Sequence, residues 1–369
     1  MVVKNNYNEC ITNLACSIRK YFGLEYNHNT LEDIDKILEI KQPQNVVLIL
    51  FDGMGSRVID KILPENSFFI KNMIKEITTV FPATTTAATT SIRTGLNPIE
   101  HGWLGWNTYV APIDKTITLF RDCEKDKKEA CKEFLDIKRG LVPKTIVEEI
   151  NEQQKYYAVE LMPFGDGMYD GLDNMMQRIE QETSKDGKKF IYAYDTEPDH
   201  TIHRERADSE ISKQLIIERN DKTEKLCNNL KDTLVIIVAD HGHTDVENIF
   251  LTDYPNILDL LERPISIEPR AVSFKIKEDM QNKFEELFEK ELGKYFTLYS
   301  KKDILDSKLF GDGEGSVLFK DAIGDYIAIA EKSNKCLIMP GNEEMLSHHA
   351  GYKDEEIYIP LIIVDKTDK

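Results

Sequence analysis

The chain is predicted to fold as a doubly wound α/β domain on a mostly parallel sheet, with a small α+β cap inserted before the last core strand. Three observations predict it. First, apolar runs of strand length recur at 46–51, 158–161, 190–194, 234–239 and 361–364. Second, helical patterns lie between them, as where Ile211, Leu215, Leu226 and Leu230 share one face. Strands alternating with helices build parallel sheets covered on both sides. The unbroken run Val46-Val47-Leu48-Ile49-Leu50-Phe51 suits such a buried strand. Third, polar turns follow the runs: Asp52-Gly53, Glu197-Pro198-Asp199 and Asp240-His241-Gly242-His243. In open α/β sheets, ligands bind at that carboxyl edge.

The elements follow in order. Ile11, Leu14, Ala15, Ile18 and Phe22 line one face of a helix over 8–23, stopped by Gly23. Thr30-Leu31-Glu32-Asp33 reads as a capping box opening a second helix, with Ile34, Ile37 and Leu38 inward. Residues 1–40 therefore form a helical segment packed on a catalytic domain made of 1–261 and 341–369. The cap is 262–340. There Val272, Phe274 and Ile276 alternate as a half-buried strand. Met280, Phe284, Leu287, Phe288 and Leu292 mark a helix face, and short strands over 295–299 and 326–330 flank glycine-rich 311–315.

Charge narrows the partners. Lys and Arg total 47 against 65 Asp and Glu, a formal charge of −18. Such a surface disfavours duplex nucleic acid and anionic membranes. A small phosphate substrate remains open, because bound metal can reverse the local sign. The six scattered cysteines form no C-x-x-C pair and read as reduced packing residues. The amino-terminal stretch has no apolar signal region, and no run reaches membrane-span length. The expected location is cytoplasmic; the oligomeric state is left open.

The chemistry concentrates at the strand ends. Thr84-Thr85-Thr86 opens a helical segment running to Thr94-Gly95, placing hydroxyls at a helix start that favours negative charge. Asp and His in the turns, with Ser347-His348-His349 before the last strand, are the donor set of zinc and its neighbours. Asp199 and His203 are four apart, which aligns them on one helical turn.

These ordered motifs resemble the alkaline phosphatase superfamily, and within it the type I phosphodiesterase / nucleotide pyrophosphatase group. The likeness rests on Phe51-Asp52-Gly53, the threonine-rich helix to Thr94-Gly95, Pro198-Asp199 with His203, Asp240-His241-Gly242, and His349 before Gly351, with Glu355, Glu356 and Pro360-Leu361 downstream. The resemblance implies two divalent ions, zinc by preference. Asp52, Thr85, Asp240 and His241 would hold one; Asp199, His203 and His349 would hold the other. It also implies a nucleophile ten residues before the glycine of the Thr-Gly pair, which is Thr85. The expected activity is hydrolysis of phosphodiester or pyrophosphate bonds in small phosphate esters or nucleotides, through a phosphothreonine intermediate.

Arg93 lies eight residues past Thr85, about 12 Å along a helix axis, too far to clamp a phosphate. That favours diesters over monoesters, whose extra charge calls for another cation. Trp103, Trp106 and His243 are the candidate substrate contacts, the tryptophans either stacking on a base or packing as core. The rivals are a phosphonate C–P hydrolase resembling phosphonoacetate hydrolases, a phosphomonoesterase, and a non-catalytic sensor on the same fold.

Overall fold

The structure, a computed structural model, describes residues 4–165 and 168–367. Its main sheet has six strands in the order Met73–Thr78, Tyr358–Lys366, Thr233–Val238, Asn45–Phe51, Lys189–Asp195 and Tyr157–Leu161. Asn45–Phe51 is parallel to both neighbours, and Tyr157–Leu161 is parallel to Lys189–Asp195. Tyr358–Lys366 runs antiparallel to both of its neighbours. The three central strands are buried throughout, as their apolar runs require.

Register decides where the chemistry emerges. Phe51 pairs with Asp195 and Leu50 with Val238, so the three central strands end level. Asp52, Asp199 and Asp240 therefore leave the sheet on one edge. At Gly53 the backbone takes φ +70°, and a Cβ there would stand 2.7 Å from His243 Nε2 and 2.9 Å from Asp199 Cβ. Only glycine lets the Asp52 turn approach that closely.

The amino-terminal helix, Ile11–Phe22, buries all five residues of its apolar stripe. It packs on the Thr85–Thr94 helix, where Arg19 donates to Thr94 O (2.9 Å) while pairing with Glu149 (2.8 Å). A cation on the last carbonyls stabilises that helix end. The second helix, Glu32–Lys41, starts later than the sequence pattern suggests. Thr30 Oγ1 donates to Asp35 Oδ2 (2.7 Å) rather than capping, and Leu31 is the N-cap.

A second sheet has seven strands: Thr297–Ser300, Tyr326–Ile329, Ala271–Phe274, Ser266–Glu268, Asn107–Val110, Lys115–Thr118 and Cys123–Glu124. Residues 107–124, which the sequence reading placed with the α/β unit, supply three of them. The junction is one long-range pairing, Ile267 with Asn107, for which no local pattern exists. Ala271–Phe274 is buried on both faces, not half-buried. Val272 and Phe274 pack with Phe284 and Phe288, whereas Ala271 joins Phe81, Tyr352 and Ile357. Met280, expected inward, is 38% exposed. All six cysteines are buried and free. Among the described residues, no helix is long and apolar enough to cross a membrane.

Candidate metal centre and cleft

Thr85 is the first residue of its helix, and Thr84, at φ −140°, ψ 149°, is the N-cap. The Thr84 side chain does not cap; it donates to Glu268 Oε1 at 2.8 Å. Thr85 Oγ1 lies 3.2 Å from His241 Nε2 and 3.4 Å from each Asp52 oxygen. The hydroxyl thus sits at a helix N-terminus, facing a carboxylate and an imidazole.

The donor atoms of Asp52, Asp240 and His241 lie within 4.8 Å of one another, as do those of Asp199, His203 and His349. A third such trio, Asp199, His241 and His243, bridges the two. Each expected histidine is oriented by its other nitrogen. Nδ1 of His203 faces Ser347 O (2.8 Å), that of His349 faces Ala83 O (3.0 Å), and that of His241 faces Gly242 O (3.1 Å). A carbonyl oxygen only accepts, so Nδ1 of each carries a proton and Nε2 is the nitrogen left to face the centre. This is the usual arrangement of a metal-binding imidazole.

The donor set fits a divalent transition metal. Asp240 Oδ1 accepts from the Gly53 and His241 amides, both at 3.0 Å, while Oδ2 is buried with no hydrogen-bond partner. An unpartnered buried carboxylate oxygen is costly unless a cation completes it. Burial, and then the Asp199 carboxylate, pushes Asp52 well above the usual carboxylate range. Burial, and then Asp52, does the same to Asp240. Burial opposes ionisation of Asp199 too, but His203 and His243 hold it well below the usual range. The same contact raises His203 to about 9 against its own burial. Like charges crowded in a dry pocket are the condition that dications relieve.

Beside this cluster opens a cleft of about 570 Å³, whose walls include Thr85, Asp199, His203 and His349 on one side. Trp106, 38% exposed, is part of the wall. Trp103 is not available as a stacking surface: it is 5% exposed and packs with Val110, Ile117, Phe134 and Leu318. His243 is 4% exposed and is not among the residues that line the cleft. Burial pushes it down to about 4, and its Nε2 sits 2.8 Å from Asp199 Oδ1. Arg93 forms a two-pronged pair with Glu160 (2.9 and 2.7 Å).

Three site residues escaped sequence reasoning. The Tyr194 hydroxyl donates to Asp52 Oδ2. Glu268, 5% exposed, accepts from Thr84 Oγ1 and from the Trp106 amide (2.6 Å). Asn107 lines the cleft, its Oδ1 accepting from Thr118 Oγ1 (2.8 Å). Tyr194 is hidden in an apolar strand run, and neither Glu268 nor Asn107 belongs to a motif.

A sequence profile described as "Type I phosphodiesterase / nucleotide pyrophosphatase" matches residues 46–352. No curated protein matches the chain as a relative. Human ectonucleotide pyrophosphatase / phosphodiesterase 5 is a similar solved structure, with a TM-score of 0.64 at 19% identity, covering 88% of each chain. The murine protein of that name gives 0.60 at 21% identity, covering 86% of this chain and 87% of its own. A further murine structure, an inactive threonine-to-alanine form in complex with AMP, gives 0.60 at 20% identity with the same coverage. At such identities these likenesses establish the shared fold.

Proposed function

Because the chain belongs to the type I phosphodiesterase / nucleotide pyrophosphatase family, we propose that it hydrolyses phosphodiester or pyrophosphate bonds in small phosphate esters, with Thr85 as nucleophile. One observation carries the reading: Thr85 Oγ1 lies 3.2 Å from His241 Nε2 and 3.4 Å from both oxygens of Asp52, on the wall of the cleft.

Asp52, Thr85, Asp240 and His241 would hold one divalent ion, and Asp199, His203 and His349 the other, zinc being preferred for this Asp/His set. When bound, the ions supply Lewis-acid activation of a hydroxyl and neutralise charge on the phosphoryl oxygens. The chain does the rest. The helix start places Thr85 Oγ1 where a negative oxygen is favoured. That oxygen attacks phosphorus, the ester or anhydride partner leaves, and water then cleaves the threonine–phosphate bond. Tyr194 holds Asp52 in place through its hydroxyl. The AMP complex of the murine relative supports a nucleotide as the substrate class. Arg93, occupied by Glu160, adds no cation for a monoester dianion.

The test is a panel run with and without zinc: bis-p-nitrophenyl phosphate, p-nitrophenyl phosphate, a nucleoside p-nitrophenyl ester and phosphonoacetate. Zinc-dependent cleavage of the diesters is expected. Phosphate release from phosphonoacetate with no diester cleavage would replace this reading by a phosphonate hydrolase.

A further inference from the structure

The cleft that Thr85, Asp199, His203 and His349 line is also lined by Arg121, Lys125 and Lys128. Among the described residues none of the three is in an ion pair, in contrast to Lys127, which pairs with Glu124 at 2.7 Å. Lys125 is the informative one. It is half-buried, and the partner of its ammonium is a backbone carbonyl, Ile265 O at 2.9 Å. Burial also pulls its proton affinity below the usual lysine value, with Asp126 only partly opposing. A cation drawn out of water onto one neutral acceptor is incompletely compensated, and an anion arriving in the cleft would complete it. Arg121, on the same cleft, is held with its guanidinium 5.5 Å from the Trp106 ring centroid. Asp126 lines the cleft as well, yet Arg121, Lys125 and Lys128 outnumber it, and in a chain of net charge −18 that local excess of cations in a concave wall suits a small anion.

We propose that Arg121, Lys125 and Lys128 form an anion subsite for a carboxylate or phosphate carried on the part of the substrate remote from the reacting phosphoryl group. The proposal rests on the phosphodiesterase reading above and deepens it. The enzyme would select esters or anhydrides that are anionic at two separated points.

The zinc-loaded enzyme and its Lys125→Met, Lys125→Arg and Arg121→Gln variants are to be compared on three substrates. These are p-nitrophenyl phenyl phosphate, p-nitrophenyl 4-carboxyphenyl phosphate and ATP. Lys125→Met should raise KM for the doubly anionic substrates about tenfold, while kcat, and every constant for the phenyl diester, stay within about twofold. Lys125→Arg should restore most of the loss, and Arg121→Gln should show the same selectivity more weakly. A loss confined to ATP assigns phosphate to the subsite, and one confined to the carboxyphenyl ester assigns carboxylate. Equal losses on charged and uncharged substrates, or none on the charged ones, overturn the subsite alone. No turnover of any of the three by the wild type would overturn the phosphodiesterase reading and the subsite with it.

Discussion

Arg270 and Glu356 form a fully buried two-pronged ion pair, with Nε–Oε1 at 2.7 Å and Nη2–Oε2 at 3.0 Å. The pair joins the two sheets: Arg270 follows the Ser266–Glu268 strand, and Glu356 precedes the last strand of the main sheet. Glu356 also accepts from the Gly351 and Lys353 amides (2.8 and 3.0 Å), fastening the turn just after His349.

Removing each partner singly should therefore cost, in sum, more than removing both together. Glu356→Gln leaves the Arg270 charge without its carboxylate and is expected to lower stability by about 3–5 kcal/mol. Arg270→Met combined with Glu356→Gln should be less damaging than the sum of the single changes. Urea unfolding of the three variants checks this; a Glu356→Gln loss under about 0.5 kcal/mol would contradict it.

Thr85→Ala should separate chemistry from metal binding. The three carboxylates and three imidazoles of the expected ligand set remain, so zinc content by elemental analysis should stay nearly intact. Turnover of the diester substrates should fall by at least about 10⁴-fold, as when a nucleophile is removed from an intact site. Unchanged turnover would exclude Thr85 as nucleophile.

Metal removal should be visible in stability as well as in rate. Asp52, Asp199 and Asp240 crowd one site, and Asp240 Oδ2 has no hydrogen-bond partner. Zinc that binds only the folded state at about 100 times its Kd adds about 2.7 kcal/mol. A chelator-treated sample should thus melt several degrees lower and recover when zinc is restored. Identical melting curves with and without zinc would count against a bound ion.

Glu268 offers a shape-preserving contrast. Glu268→Gln keeps an oxygen to accept from Thr84 Oγ1 and the Trp106 amide, and should alter stability little. Glu268→Leu leaves that amide without an acceptor, costing about 1–3 kcal/mol, and frees the residue before Thr85. Calorimetry and kcat/KM on a diester test the pair; equal behaviour of the two variants would show that these hydrogen bonds do not matter.

Acid sensitivity has one traceable contributor away from the centre. Burial pushes His101 down to about 3, and the ring lies 3.1 Å from Ser91 Oγ while accepting from the Trp103 amide (3.0 Å). A folded-state value below the unfolded one gives stability that is present above about pH 6.5 and lost as pH falls toward 3. Between pH 6 and 4, His101→Asn should flatten the stability–pH slope by up to about 1.4 kcal/mol per unit at constant metal loading. An unaltered slope would contradict the assignment.

Much of the architecture was legible because it is written in local patterns. The unbroken apolar run ending at Phe51 defined a buried strand and the stripe Ile11, Leu14, Ala15, Ile18, Phe22 defined a helix, whereas the choice of Thr85 among its neighbouring threonines rested on the family resemblance. The turns at Asp52 and Asp240 were recognisable because a charged residue directly after such a run has nowhere to go but the sheet edge. What local patterns cannot carry is the choice of a distant partner. Whether Trp103 or Trp106 faces the cleft, that His243 meets Asp199, that Asn107 pairs with Ile267, and that Arg270 finds Glu356 were decided by tertiary structure alone. Each depends on burial and pairing between segments tens to hundreds of residues apart, where side-chain type constrains the energy of a contact but not the identity of the neighbour.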